Sequence, residues 1–182
     1  MSIFEEKFAS FQKEAFRLET LPEYRVSGEW EDYQSYLQGE VAPTYAWTDW
    51  QENLSTWKKE SKRVIRLRVV DQKLTPYIHY EMTRYYEPHS LAGEQIFFML
   101  KPDFERNFGT IPNDFWLFDQ ESSIDMKYGP EGEYIDSVHT TDSQTVNTYI
   151  TINQTFQDDA FSLKEMIMRI RCQSIDISEK VS

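Results

Sequence analysis

The sequence predicts an α/β (or α+β) fold: a mixed sheet of about five strands, flanked by N-terminal and C-terminal helices. Three observations lead there. Apolar residues recur at helical spacing before residue 62. At residues 63–70, RVIRLRVV, the period switches to alternation rich in β-branched residues. A Thr-Pro helix start then separates that segment from a second apolar one, the pattern of a βαβ crossover with parallel strands. Aromatic residues make up 15% of the chain, which excludes a wholly disordered polymer. With 182 residues the expectation is one domain over 1–182. It divides into a mainly helical 1–62, the mixed sheet at 63–140, C-terminal helices at 141–172 and a frayed tail at 173–182.

Each element has a local reason. Ser2 and Glu5 form a capping-box pattern, and Phe4, Phe8, Phe11 and Ala15 extend a helix over 3–16. Ser27 caps a short helix carrying Trp30, Tyr33 and Leu37, stopped at Gly39. Thr48 and Gln51 form a second capping box, and Trp50, Leu54 and Trp57 mark the buried stripe of a helix at 49–61. Thr75 and Pro76 open the crossover helix, whose stripe is Ile78, Met82 and Tyr85 and whose stop is Pro88. A strand at 95–100 follows. Strands at 115–119, 123–128 and 133–139 read as an antiparallel meander, the last two joined by the Gly-Pro-Glu-Gly turn at 129–132. Residues 143–157 fit a strand by composition and a helix by the spacing of Val146, Tyr149, Ile150 and Asn153, with helix favoured. Ser162 and Glu165 form a third capping box, opening a final helix to about residue 171.

Charge narrows the function. The net charge is −12, which opposes approach to nucleic acid and to anionic membranes, so direct nucleic-acid binding is not expected. No apolar run approaches the roughly 20 residues of a membrane span, and MSIFEEKF lacks the apolar core of a signal peptide. A cytoplasmic location is the expectation. The one basic island is Lys58, Lys59, Lys62, Arg63, Arg66, Arg68 and Lys73. Its lysines suit a helix C-terminus, where cations meet the free carbonyls. Its arginines suit either an anion site or a structural network with Glu81 and Glu94.

Catalytic signatures are missing. No two of His79, His89 and His139 stand four residues apart, and the lone Cys172 builds neither a disulfide nor a thiolate zinc site. No phosphate-cradling glycine loop and no G-x-S-x-G elbow occurs. No cofactor and no metal is expected. Asp114 and Asp119 bracket FWLF, and Asp119 closes a strand, a position where α/β sites gather; a metal site or a general base there is one reading, turn carboxylates the other. Trp30, Tyr33, Tyr36, Tyr45 and Trp47 are the aromatics left over from the helix stripes and are the candidates for partner contact.

SFQKEAFRLETLPEY at 10–24, KRVIRLRVVDQKLTPYIHYE at 62–81, AGEQI at 92–96 and PNDFWLFD at 112–119 resemble an uncharacterised bacterial family, one of the domains of unknown function. The resemblance covers most of the chain and thins after Gly132. It implies Arg17, Glu19, Arg66, Arg68, Tyr77, Glu81, Gly93, Glu94, Asp114, Trp116 and Asp119 as marked positions. It also implies a regulatory context, since family members often stand beside helix-turn-helix transcriptional regulators. One departure is QIFFML, which lacks the arginine usual in that strand. The order of elements also resembles half of a phospholipase D-type domain. The stretch NDFWLFD has neither the histidine nor the lysine of that family's H-x-K-x-x-x-x-D, so the resemblance implies a non-catalytic relative. The expected function is a non-enzymatic regulatory or interaction module with a protein partner. The alternative is a phosphate- or nucleotide-binding domain using Arg66 and Arg68.

Overall fold

Three parallel strands carry the fold. They are β1 (Glu14–Glu19), β2 (Arg63–Val70) and β3 (Glu94–Leu100). The computed structural model describes residues 2–25, 29–40 and 49–179, with side chains as far as Cys172. β4 (Phe115–Phe118) runs antiparallel to β1, and β5 (Ser122–Tyr128) and β6 (Tyr134–Thr140) continue the meander. The two-residue β7 (Phe161–Ser162) pairs antiparallel with β3. The sheet has seven strands in the order β6-β5-β4-β1-β2-β3-β7, not about five.

The two additional strands are β1 and β7. The expected helix over 3–16 stops early: α1 is Ile3–Ser10, and at Phe11 the backbone turns extended, with φ −62° and ψ 147°. The rest of that stretch becomes β1, between β2 and β4, with all six residues buried. The Ser2–Glu5 capping box does form, Ser2 N–H donating to Glu5 Oε2 at 2.6 Å.

Helices cover both faces. α2 is Glu29–Leu37 and α3 is Asp49–Lys59, with Lys58 and Lys59 in its last turn as the charge pattern requires. The crossover from β2 to β3 is α4 (Pro76–Glu81), a π-helical turn (Met82–Tyr86) and α5 (Glu87–Ala92). Thr75 caps α4 by accepting from Ile78 N–H at 3.3 Å. α6 (Lys101–Phe108) links β3 to β4 and was not foreseen. α7 (Ser143–Thr155) settles the ambiguous segment as helix. α8 (Leu163–Glu179) opens on the Ser162–Glu165 capping box and runs beyond residue 171, where the helix was expected to give way to a frayed tail. Ser27, Tyr45, Trp47 and Thr48 lie outside the described residues.

Strand alternation gives the sheet two unlike faces. One is apolar: Phe16 and Leu18, Ile65, Leu67 and Val69, Met99, and Phe115 and Leu117 pack under Phe104 of α6 and Val146, Tyr149 and Ile152 of α7. Tyr149 stacks flat on Phe115 with centroids 3.6 Å apart. The other face carries Arg17, Glu19, Arg66, Arg68, Glu94 and Trp116. It is apolar only at its ends, under α1 and α3 at one side and under the crossover and α8 at the other.

Candidate functional site

The polar face is assembled by register. Arg17 of β1 stands beside Arg66 of β2 and Trp116 of β4, and Glu19 stands beside Arg68. Like charges on adjacent strands repel unless counterions interleave, and here they do. Arg66 Nε donates to Glu94 at 2.7 Å, and its Nη1 donates to Glu19. Arg17 Nε lies 3.4 Å from Glu19, and its Nη2 lies 3.4 Å from Asp114. Arg68, with no exposed surface, donates to Glu81 of α4 at 3.0 Å and to the Tyr24 hydroxyl at 3.0 Å. Tyr24 in turn donates to Asp114. Tyr86 donates to Glu19 at 3.2 Å.

Nine of the ten binding candidates from the sequence therefore lie together: Arg17, Glu19, Arg66, Arg68, Tyr77, Glu81, Glu94, Asp114 and Trp116. Asp119 does not, and the proposed pairing of Asp114 with Asp119 is corrected. β4 runs antiparallel to β1, so the C-terminal end of β4 lies at the N-terminal end of β1, away from the cluster. There the Asp119 carboxylate accepts from the backbone N–H groups of Gln12, Lys13 and Glu14 at 2.7–2.9 Å. It pins the entry to β1. Asp114, at the other end, accepts from Thr20 N–H and Thr20 Oγ1 at 2.9 and 2.7 Å. No group of three or more His, Cys, Asp or Glu among the described residues is arranged to hold a metal.

Electrostatics follow the pairing. Burial alone would raise the Glu19 carboxyl, but Arg66, Arg17 and Arg68 overcome it and hold the group well below the usual carboxylate range. Glu94 is lowered in the same way, burial being outweighed by Arg66 and by the nearby His89. Glu81 goes the other way. Burial pushes it up to about 7, Arg68 opposing and the neighbouring Glu19 reinforcing. Burial likewise raises Glu29 of α2, whose hydrogen bond from Tyr77 offsets only part of the effect.

Above this network lies a cleft of about 440 Å³, within the range of small-molecule sites. Its floor is Arg17, Glu19, Arg66 and Trp116 of the sheet, and its roof is Tyr77, Glu81, Tyr85, Tyr86 and His89 of the crossover. Glu29, Trp50, Tyr24 and Tyr128 close the sides. The π-helical turn sets the roof. Its i→i+5 spacing brings Tyr86 to the same side as Glu81 and Tyr85, and such turns concentrate at functional sites. Sequence reading missed most of the side walls and part of the roof. Trp50 and Tyr85 read as helix stripe, His89 stood out only as belonging to no i, i+4 histidine pair, and Tyr24, Glu29, Tyr86 and Tyr128 carried no signal. The aromatics set aside for a partner are partly used internally. Tyr33 is buried against Tyr77 and Tyr80, and Tyr36 packs on Tyr80, while Trp30 remains exposed.

A family profile described as "Domain of unknown function (DUF6879)" matches residues 2–167. The chain belongs to this family. The match spans the whole sheet and the cleft of the DUF6879 domain, with α8 only begun. No curated protein matches the sequence. Among solved structures a distant similarity is to Nuc from Salmonella typhimurium, a phospholipase D family member, at 10% identity and a TM-score of 0.49, over 86% of each chain. No helix among the described residues is long and apolar enough to cross a membrane.

Proposed function

We propose that this DUF6879 domain is a ligand-binding module rather than an enzyme, and that the cleft over the arginine–carboxylate network is its ligand site. The observation that carries this is the combination of a preformed space with a locked floor. The three arginines are each held by a carboxylate before any ligand arrives, so the cleft keeps its shape when empty. A rigid, prepaired floor lowers the ordering cost of binding. The family's implied neighbourhood of helix-turn-helix regulators fits a sensing role, in which a protein partner reads whether the cleft is filled.

The alternative, a phosphate or nucleotide held by Arg66 and Arg68, has less support. An anion would have to displace Glu19 and Glu94 from Arg66, and Arg68 does not line the cleft. A thermal-shift screen of a fragment library spanning cationic, anionic and neutral aromatic compounds tests the reading. Hits should raise the melting temperature of the wild type and lose that effect in Tyr85→Ala. No hit, or hits indifferent to Tyr85→Ala, would overturn it.

A further inference from the structure

Charge in the cleft is unbalanced in a definite direction. The cluster holds three arginines, Arg17, Arg66 and Arg68, against five carboxylates, Glu19, Glu29, Glu81, Glu94 and Asp114. Four of the five carboxylates have an arginine partner. Glu29 has none: its hydrogen bond comes from the Tyr77 hydroxyl at 3.1 Å, and no ion pair reaches it among the described residues. Residues 26–28 and 41–48 contain no Lys, Arg or His, so they bring no cation to it either. His89, 3.3 Å from Glu94, adds a charge only when protonated. Glu29 and Glu81 both line the cleft, and the Glu29 charge adds to the burial that raises Glu81.

The walls suit the missing charge. Arg17 already lies over Trp116, Arg66 over Tyr86 and Arg68 over Tyr24, so the cluster's own cations sit on aromatic faces. Trp50 and Tyr128, half-buried at the sides, have no cation over their rings among the described residues, though Arg17 donates to the Tyr128 hydroxyl at 3.1 Å and Trp50 Nε1 lies 3.4 Å from Glu94. Both rings pack on aromatic neighbours and still line the cleft, and a cation between carboxylates and cleft-lining aromatic rings gains from both, more so when partly desolvated.

Resting on the reading of the cleft as a ligand site, we infer that its ligand is an organic cation, a guanidinium or alkylammonium group seated between Glu29 and Glu81 against Trp50 and Tyr128. The group comes either on a free small molecule or on a basic side chain of a peptide. The volume of about 440 Å³ accommodates one such group with its alkyl stem.

Calorimetric titration of the full chain separates the possibilities, using agmatine, N-acetyl-Gly-Arg-Gly-amide, AMP and inorganic phosphate as probes. Saturable binding of agmatine or of the peptide is expected, and the tighter of the two identifies the source. Glu29→Gln should weaken that binding at least tenfold while leaving the urea midpoint unchanged or raised, because it removes an unpaired charge. Binding of AMP or phosphate without agmatine or peptide would overturn the cation and leave the cleft reading standing. Silence of all four probes, with fragment hits still mapping to the cleft, would also overturn the cation alone. Silence together with an empty fragment screen would overturn both. Cation binding undiminished in Glu29→Gln would overturn the assignment to this site.

Discussion

Arg68→Met perturbs the most enclosed charge in the sheet. Met keeps most of the side chain's length and removes its guanidinium, which has no exposed surface and reaches Glu81 and the Tyr24 hydroxyl at 3.0 Å each. Glu81 is itself only 7% exposed, so the change strands a buried carboxylate. Breaking such a pair from one side costs about 3–5 kcal/mol. Glu81 escapes part of this by taking up a proton, which makes the loss depend on pH. In the wild type the Glu81 carboxyl titrates at about 7. Between pH 6 and pH 8 the wild-type folded state therefore gains the ionised form, roughly a tenfold gain in its statistical weight. In Arg68→Met the group stays protonated throughout and gains nothing. The unfolded chain is common to both, so the loss should be larger at pH 8 than at pH 6 by on the order of 1 kcal/mol. Urea unfolding followed by tryptophan fluorescence reads both values. The double variant Arg68→Met, Glu81→Leu should recover most of the loss, because both charges are then gone. A loss below about 1 kcal/mol at pH 8, or one no smaller at pH 6, would mean that Arg68 does not hold the Glu81 charge.

Two further outcomes follow from the same geometry. Asp119→Ala frees three backbone N–H groups at the start of β1 and should cost about 2 kcal/mol in urea unfolding, without changing affinity in the cleft. Glu19 and Glu94 are held below the ordinary value of 4.5, so their contribution is complete above that pH and is lost as pH falls through their folded-state values. The urea midpoint should drop as pH is lowered below about 4.5, and Glu94→Gln should flatten part of that slope. Glu81, raised, contributes in the opposite sense, losing its share as pH climbs through 7.

The legible parts of the fold were those in which one periodicity acted alone. β2 alternates, the crossover opens on a Thr-Pro cap, and the Ser2–Glu5 and Ser162–Glu165 capping boxes form where local chemistry places them. β1 hid because both its faces are buried and its charges are paired inside the sheet. Glu14 fell inside the expected helix over 3–16, and Arg17 and Glu19 lay beyond it with no strand pattern of their own, whereas their charge partners come from β2 and from Asp114, nearly a hundred residues away. The site was legible in β2, where alternation puts Arg66 and Arg68 on one face; Arg17, Glu19 and Trp116 were pointed to by the family resemblance alone. It was illegible in most of its walls and in part of its roof. Glu29, Tyr86 and Tyr128 reach the cleft only through helix packing and a π-helical turn, which no local pattern encodes. Asp119 misled because a strand's direction within the sheet is not written in its own residues.

If the proposed function holds, the cleft, and not another surface, receives the ligand. Indole ¹H–¹⁵N resonances during an agmatine titration test it most directly, since Trp50 and Trp116 line the cleft and the backbone amides of α7 lie across the sheet. The Trp50 and Trp116 signals should move saturably while the amides of Val146 and Ile152 stay fixed. Saturable binding that leaves both indoles unmoved, or that shifts α7 instead, would contradict the proposed function.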